Sequence, residues 1–163
     1  MLSSAHDRRH RTTAFSVSAR VGASWGESMT EAPFRVLPQL SADNEFFWTS
    51  GREGVLRFLQ CVSCSYFIHP PTPICPKCYS REVAPSVVSG RGTLFSFTVN
   101  HKSWDGSPDP YTIGLVQLDE QDDLRLTTNI VGCAPDDVRI GVPVEVVFED
   151  RDPIFIPLFR PVP

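Results

Sequence analysis

The sequence predicts a mainly β protein, and three observations support this fold class. Proline makes up 15 of the 163 residues, about 9% against a usual value of about 5%, and proline interrupts helices. Five short segments in the second half are candidate strands, and three of them alternate apolar and polar residues with a period of two, which is typical of strands. Two Cys-x-x-Cys pairs precede these segments and indicate a small metal-bound unit.

Composition and charge narrow the classes of function. Hydrophobic residues make up 41% and charged residues 21% of the chain, close to the average for globular proteins. No apolar run reaches the roughly 18 residues that a membrane-spanning helix needs, so we expect no membrane span. Residues 1–28 carry a charge of +2 and the remainder −6, which together give the net charge of −4. An acidic body disfavours broad binding to a nucleic-acid backbone, which needs clustered Lys and Arg.

Residues 1–28 are predicted to be a disordered leader. They are rich in Ser and Arg and lack apolar periodicity, as expected of a segment that cannot bury a core. A secretory signal would need an apolar stretch of about 7–15 residues, and none is present, so we expect a cytoplasmic protein. The Arg and Ser content leaves a transit peptide open, although Asp7 and Glu27 argue against it.

Residues 29–54 are predicted to form an extended arm followed by a short helix. Ser41 or Asp43 can cap a helix over residues 43–49, and Gly51 and Gly54 are expected to end it. The helix carries three consecutive large aromatic residues, Phe46, Phe47 and Trp48. Because consecutive residues point around a helix, we expect at least one of these rings to stay exposed in the isolated chain.

Residues 55–85 are predicted to form a small zinc ribbon. A strand at residues 55–60 leads into Cys61-Val-Ser-Cys64, and ten residues later comes Cys75-Pro-Lys-Cys78. Two such pairs place four thiolates where two tight turns can converge on one metal, and zinc accepts four sulfur ligands in a tetrahedron. Because the protein fills all four positions, we expect one structural zinc per chain, bound by Cys61, Cys64, Cys75 and Cys78.

Other interpretations of the four cysteines remain open. Two disulfides would suit an oxidising compartment, and a redox pair would need a βαβ context that is missing here. Iron in a rubredoxin-like site would use the same four thiolates, although zinc is favoured. His69 is not needed as a ligand. Glycine often follows the second cysteine of each pair in zinc ribbons, so Ser65 and Tyr79 are expected to adopt positive φ there.

Residues 86–163 are predicted to fold as a five-stranded OB-type barrel. Alternation predicts strands at residues 94–100, 124–130 and 142–149. Residues 111–118 are apolar on both faces, as expected of a central strand, and residues 154–159 are the last candidate strand. Along the first strand Phe95, Phe97 and Val99 are expected to share one face, and Pro157 restricts the last strand to an edge or a bulge. A single helical turn is predicted at residues 134–141, and five short strands with this insertion indicate an OB-type barrel.

No catalytic constellation is evident from the sequence. The acidic residues within 119–123 are interpreted as a solvated hairpin loop, and His101 lies beside a predicted loop. Cys133 stands alone at a strand end, where a small buried apolar role is commoner than a nucleophilic one. The chain has no phosphate-loop or dinucleotide fingerprint, so we expect no catalytic residues.

An ordered set of motifs resembles a known family. The set consists of Phe46-Phe-Trp48, the four cysteines, Ser89-Gly-Arg-Gly-Thr93, Val131-Gly-Cys133 and Val142-Pro-Val-Glu-Val-Val-Phe148. It is similar to the acyl-CoA-associated proteins that join a rubredoxin-like zinc ribbon to an OB fold, formerly a domain of unknown function. The resemblance covers roughly residues 38–161.

The resemblance implies a function as well as a fold. Members of the family are accessory subunits of thiolase-like or aldolase enzymes, sometimes alongside hotdog-fold hydratases, and the partners process steroid side-chain, acetoacetyl or polyketide-like CoA esters. It implies zinc binding by the four cysteines, partner contact for Phe46, Phe47 and Trp48, and catalysis by the partner rather than by this chain.

Two further classes of function compete with this one. A single-stranded nucleic-acid-binding module would use aromatic platforms such as Phe95, Phe97, Trp104 and Tyr111, but the residues around them in sequence are not basic. An electron carrier would hold iron in the four-cysteine site and would be coloured. The accessory subunit is the leading hypothesis.

Overall fold

The structure, a computed structural model, describes residues 35–102 and 109–162. The predicted leader at residues 1–28, residues 29–34 of the arm, and Trp104 lie outside the described residues. The elements belong to one compact unit, Phe34–Pro163. In chain order they are α1 (Glu45–Trp48), a 3-10 turn (Ser50–Glu53), β1 (Leu56–Cys61), β2 (Phe67–Ile68), β3 (Val83–Val88), β4 (Arg91–Asn100), β5 (Tyr111–Leu118), β6 (Arg125–Ile130), a second 3-10 turn (Pro135–Asp137), β7 (Pro143–Arg151) and β8 (Ile154–Pro161). No helix in these two ranges is long and apolar enough to cross a membrane.

The last five strands close into a barrel in the order β4-β5-β6-β8-β7, which confirms the predicted mainly β, OB-type fold. Neighbouring strands are antiparallel, except that β6 and β8 meet in a short parallel contact between Ile130 and Phe159. β8 lies between β6 and β7 in the barrel, so the expectation that Pro157 restricts this strand to an edge or a bulge was wrong. Pro157 pairs with Phe148 of β7 and lies outside the parallel contact with β6. The Thr128 hydroxyl donates a 2.6 Å hydrogen bond to the Pro157 carbonyl oxygen instead. The second 3-10 turn lies where the helical turn was predicted.

A β-bulge in β4 corrects the predicted face of that strand. The pairing with β5 shifts register between Leu94 and Ser96, and the extra residue of a bulge reverses the side-chain alternation. Phe95 is therefore 46% exposed, whereas Leu94 is fully buried and Phe97 packs against the core. The Arg125 guanidinium lies 3.7 Å from the centre of the outward Phe95 ring. The expectation that Phe95 and Phe97 share one face was wrong.

A three-stranded sheet in the order β2-β1-β3 precedes the barrel. Only β1 was predicted from the sequence. β2 is two residues long, and β3 contains Ala84, Pro85 and Ser86, which are not typical of strands. Within the described ranges β3 pairs with β1 alone, and proline is tolerated on such an edge strand.

The helix α1 is shorter than predicted and has a different start. Neither Ser41 nor Asp43 caps it; instead the Asn44 side-chain oxygen accepts a 2.8 Å hydrogen bond from the backbone N–H of Ser41. Gly54 ends the 3-10 turn with φ of 70°, as expected of glycine at a helix stop. Gly51 lies inside that turn and does not end it. The position requires glycine, because a Cβ there would collide with phenylalanine side chains of β7 and β8.

One hydrophobic core joins the helix, the ribbon sheet and the barrel. Phe47 of α1, Phe58 of β1 and Phe67 of β2 are buried in the same cluster as Leu94 and Phe159 of the barrel. Burying a side chain of this kind stabilises a fold by about 1.5–3 kcal/mol. Because the cluster crosses the boundary between ribbon and barrel, we expect the two parts to unfold together.

The acidic loop at residues 119–123 also holds the ribbon. The backbone N–H of Phe67 donates to the Gln121 side-chain oxygen at 2.8 Å, and the Gln121 amide nitrogen donates to the Phe67 carbonyl at 3.1 Å. The Tyr66 hydroxyl donates a 2.7 Å hydrogen bond to Asp123, and this bond, burial and the Asp123 charge raise the pKa of Tyr66 to about 12. The loop is therefore a contact between ribbon and barrel as well as a hairpin.

The shared core predicts that the ribbon and the barrel unfold in a single cooperative transition. Phe58→Ala leaves a cavity at the junction and should lower the free energy of unfolding by about 3–5 kcal/mol. The control Val87→Ala changes a half-exposed residue of β3 and should cost at most about 0.5 kcal/mol. Urea unfolding, followed by far-UV circular dichroism and tryptophan fluorescence, measures both. Separate transitions, with the barrel transition unchanged in Phe58→Ala, would contradict a shared core.

Candidate functional site

The structure brings the four predicted ligand sulfurs together. The Sγ atoms of Cys61, Cys64, Cys75 and Cys78 all lie within 4.8 Å of one another. The Cys61–Cys78 and Cys64–Cys75 pairs are 3.5 and 3.6 Å apart. Four sulfurs around one zinc at about 2.3 Å would lie about 3.8 Å from each other. The cluster therefore fits a single tetrahedral ion with little rearrangement.

Two similar backbone turns present these sulfurs. In the first, the Ser65 N–H donates to the Cys61 carbonyl at 2.9 Å, and in the second the Tyr79 N–H donates to the Cys75 carbonyl at 3.0 Å. The Lys77 N–H donates to the Cys75 sulfur at 3.4 Å. Ser65 and Tyr79 have φ of 61° and 60°, which confirms the predicted positive φ after each second cysteine.

The geometry favours a metal over the disulfide interpretation. The structure forms no disulfide between any of the five cysteines, and the sulfur separations of 3.5 Å and more far exceed the roughly 2.05 Å of a disulfide bond. Cys61 and Cys75 are buried, and Ile68 packs beside them. Cys64 and Cys78 are exposed, so the cluster lies at the surface of the ribbon.

The clustered thiols share protons unequally. Burial raises the pKa of Cys61, but hydrogen bonds from the Cys64 backbone and from the Cys78 and Cys64 thiols outweigh burial and lower that pKa to about 7. At Cys64 the hydrogen bond from the Tyr66 backbone lowers the pKa, yet burial and the neighbouring thiols prevail and raise it to about 12. Cysteine binds a metal as the thiolate, so a divalent cation bound here would displace the thiol protons.

A second feature is a small apolar pocket between α1 and the ribbon sheet. It has a volume of about 110 Å³ and is lined by Asn44, Phe46, Phe47, Trp48, Phe58, Leu59, Ile68, His69 and Pro71. Phe47 is buried, whereas Phe46 and Trp48 are partly buried and pack against the core. The expectation that at least one of the three rings stays exposed is met only in part, because Phe46 and Trp48 are both half-buried. The structure thus places all three predicted docking residues around one cavity.

His69 belongs to this pocket and not to the metal cluster. Its ring stacks on Phe47 with centroids 5.7 Å apart and meets Phe58 edge to face at 5.0 Å. Burial lowers its pKa, so the neutral imidazole is preferred. Sequence reasoning missed this role; the signal was a histidine in the stiff His-Pro-Pro segment between the two cysteine pairs.

The remaining candidates stay apart from these two features. His101 is exposed after the end of β4. Cys133 is partly buried and packs against the core, and burial, together with the charge of Asp137, raises its pKa. Neither residue belongs to a cluster of potential metal ligands in the part of the chain that the structure describes.

The position of His69 predicts a pH dependence of stability. The unfolded chain binds a proton at this residue with a pKa of about 6.5, while burial lowers the pKa in the folded chain. The stability that neutral His69 supplies is therefore present above about pH 6.5 and lost as the pH falls below it. From about pH 7.5 to about pH 5.5, the wild type should lose stability relative to His69→Phe, by at most about 1.4 kcal/mol per pH unit. Urea unfolding of both proteins at each pH measures the difference between their free energies of unfolding, in which acid effects on the cysteines cancel. A difference that does not change with pH would contradict the prediction.

Comparisons with known proteins match both parts of the fold. Residues 48–84 match the family described as "ChsH2, rubredoxin-like zinc ribbon domain", and residues 86–149 match "ChsH2, C-terminal OB-fold domain". A solved chain titled "Ltp2-ChsH2(DUF35) aldolase" is 35% identical, with a TM-score of 0.68 over 77% of this chain and 98% of that one.

Curated relatives extend the comparison. A probable enoyl-CoA hydratase alpha subunit of Thermomonospora curvata is 36% identical over 78% of this chain, but the chain spans only 40% of that relative's length. A DUF35 domain-containing scaffold protein of Methanocaldococcus jannaschii is 36% identical over 58% of this chain and 70% of its own length. Benzoylsuccinyl-CoA thiolase subunit BbsA of Thauera aromatica is 30% identical over 76% of this chain and 92% of its own length. The chain therefore belongs to the DUF35 family, whose members join a ChsH2-type rubredoxin-like zinc ribbon to an OB-fold domain.

Proposed function

We propose that this chain is a non-catalytic accessory subunit that docks on a thiolase-like or aldolase enzyme and supports the processing of an acyl-CoA substrate. The observation that carries the proposal is the likeness, over 98% of its length, to a chain solved in an aldolase whose title names Ltp2 and ChsH2 together. The thiolase and hydratase subunits among the relatives support it, and the scaffold name of the archaeal relative suits a subunit without chemistry of its own. A hotdog-fold hydratase is a further candidate partner. Acyl-CoA, of steroid side-chain or acetoacetyl type, would be held at the shared interface.

The pocket beside α1 is the proposed docking element. Its lining is almost entirely apolar, and an apolar recess walled by aromatic rings is typical of an interface hot spot. Phe46 and Trp48 are the rings that a partner can still cover, because Phe47 is already buried in the shared core. Phe47 therefore acts as the anchor that holds α1 in place.

We infer that Cys61, Cys64, Cys75 and Cys78 bind one zinc ion per chain. Zinc held by four thiolates has no open coordination position, so its contribution when bound is structural. β1 carries Phe58 into the pocket wall and ends at Cys61. The cysteines thus fix the far end of the strand on which the docking pocket is built.

The barrel surface supports the accessory role over single-stranded nucleic-acid binding. One face of Phe95 is covered by the Arg125 guanidinium at 3.7 Å, and Phe97 packs against the core. The Tyr111 hydroxyl accepts a hydrogen bond from Asn100 at 2.6 Å. Phe95 and Phe97 therefore do not offer the open ring faces that single-strand binding uses.

Loss of one buried ligand should remove the metal. Cys75→Ser should reduce zinc from about one to about none per chain and lower the melting temperature, because metal binding free energy is folding free energy in such ribbons. Cys133→Ser is the matched control and should keep its zinc. Elemental analysis of protein purified without chelator measures the metal. Iron in a coloured protein, or full zinc in Cys75→Ser, would contradict the assignment.

Docking should depend on the two partly exposed rings of α1. Trp48→Ala and Phe46→Ala should each weaken binding to a co-expressed thiolase-like or aldolase enzyme from neighbouring genes. A loss of about 2 kcal/mol or more, roughly 30-fold in Kd, is expected at a hot spot. Isothermal titration calorimetry with the purified enzyme measures this loss.

The control for docking is Phe95→Ala, which removes a half-exposed aromatic ring far along the chain on the barrel. It should bind normally. Phe47→Ala is unsuitable, because removing a core ring would perturb the fold. Unchanged binding by both α1 variants, each with full zinc content, would exclude α1 as the docking element. Absence of any complex with the wild type would count against the accessory role itself.

A further inference from the structure

Tyr66 is the residue that connects the first cysteine turn with the barrel. Its backbone N–H donates a hydrogen bond to the Cys64 sulfur, and its carbonyl oxygen accepts one of 2.9 Å from the Cys61 N–H. Its hydroxyl donates a 2.7 Å hydrogen bond to Asp123, which lies in the loop between β5 and β6. The main chain of Tyr66 is therefore bonded to two residues that carry ligand sulfurs, while its side chain is bonded to the barrel.

The second cysteine turn reaches the same tyrosine through Lys77. This residue lies between Cys75 and Cys78, and its Nζ atom is 5.1 Å from the centre of the Tyr66 ring, within the range of a cation–π contact. The hydrogen bond from Tyr66 and, to a smaller extent, the charge of Lys77 lower the pKa of Asp123, so both favour the ionised carboxylate. We call the contact among Tyr66, Lys77 and Asp123 the tyrosine clasp.

The barrel loop gives the clasp a fixed point of attachment. Leu118 and Leu124, at the two ends of the loop, are both buried, and the Leu118 N–H donates to the Leu124 carbonyl at 2.9 Å. Inside the loop, the side chain of Gln121 is paired with both backbone groups of Phe67, the neighbour of Tyr66 in sequence. Because the loop is anchored in the barrel core, its carboxylate can hold Tyr66 where the ligand residues need it.

We propose that Tyr66 is a positioning residue for the metal, and that the barrel strengthens metal binding by the four cysteines through the tyrosine clasp. This proposal rests on the zinc assignment above and does not depend on docking at α1. Residues that orient the ligands of a metal typically change metal affinity by about 10–100-fold when they are replaced. Here the orienting contact crosses from the ribbon to the barrel, so a carboxylate outside the ribbon sets part of the ribbon's affinity for its metal.

Tyr66→Phe tests the clasp, because it removes the hydroxyl and keeps the ring and both backbone hydrogen bonds. It should weaken zinc binding by about 10-fold or more, measured on the full chain by competition with a chelator of known zinc affinity. Asp123→Ala should have a similar effect, and Asp123→Asn a smaller one, because an amide oxygen still accepts a hydrogen bond. Because Tyr66→Phe and Asp123→Ala remove the same contact, the double variant should bind zinc no more weakly than the weaker single variant.

Two controls separate positioning of the metal from a general effect on stability. Tyr111→Phe removes another hydrogen-bonded tyrosine hydroxyl, which accepts from Asn100 at 2.6 Å on the barrel, and should leave the zinc affinity unchanged. Val144→Ala shortens a buried side chain of β7 and should lower the free energy of unfolding, again without changing the zinc affinity. Urea unfolding of each zinc-loaded variant measures the stability against which the affinities are compared.

Three outcomes would overturn the proposal while leaving the zinc assignment intact. The first is an unchanged zinc affinity in Tyr66→Phe and Asp123→Ala, and the second is a double variant in which the two effects multiply. The third is a zinc affinity that follows the free energy of unfolding across all variants, Val144→Ala included, since Tyr66 would then act on stability alone. A wild type that binds no zinc would instead refute the zinc assignment, and this proposal with it.

Discussion

The convergence of four thiols on one point is the constraint on which the ribbon depends. The ribbon has little core of its own: its separate buried cluster contains only Cys61, Ile68 and Cys75, and β2 is two residues long. A unit of this size does not fold on hydrophobic burial alone. The positive φ values of Ser65 and Tyr79 are local costs that the chain accepts because they turn the backbone so that the sulfurs meet. The geometry of the two turns follows from that requirement.

The barrel supplies the hydrophobic core that the ribbon lacks. The side chains of Phe58 and Phe67 project from the ribbon sheet into the core of the barrel. The barrel therefore covers the apolar face of this small sheet. The edge of β2 is closed in a different way, since both backbone groups of Phe67 are paired with the side chain of Gln121. An amide side chain suits this task because it offers a donor and an acceptor side by side. The ribbon is thereby held by apolar packing on one side and by paired hydrogen bonds at its edge.

The parts of the fold that were predictable are those with a strong local signal. The cysteine spacing indicated the cluster, alternation indicated three of the barrel strands, and short apolar runs indicated the other two. The bulge at Leu94 and Ser96 was not predictable, because the residues on both sides alternate well and only pairing with β5 shows the extra residue. β3 was missed because Ala84, Pro85 and Ser86 have low strand propensity and are held by β1. The pocket was missed because His69 and Trp48 are far apart in sequence, and only the packing of α1 on the ribbon brings them together.

The candidate metal cluster and the pocket are physically linked through the same short segments. β1 contributes Phe58 and Leu59 to the pocket and Cys61 to the sulfur cluster. The loop that contributes Ile68 and His69 begins and ends at cysteines of that cluster. A metal that fixes both ends of the loop removes conformations that the pocket would otherwise have to exclude when a partner binds. A bound metal would in this way raise the affinity of the pocket for a partner. By linkage, the bound partner would raise the affinity of the cluster for its metal by the same factor. If the proposed function holds, a structural metal would contribute to recognition by ordering the pocket wall.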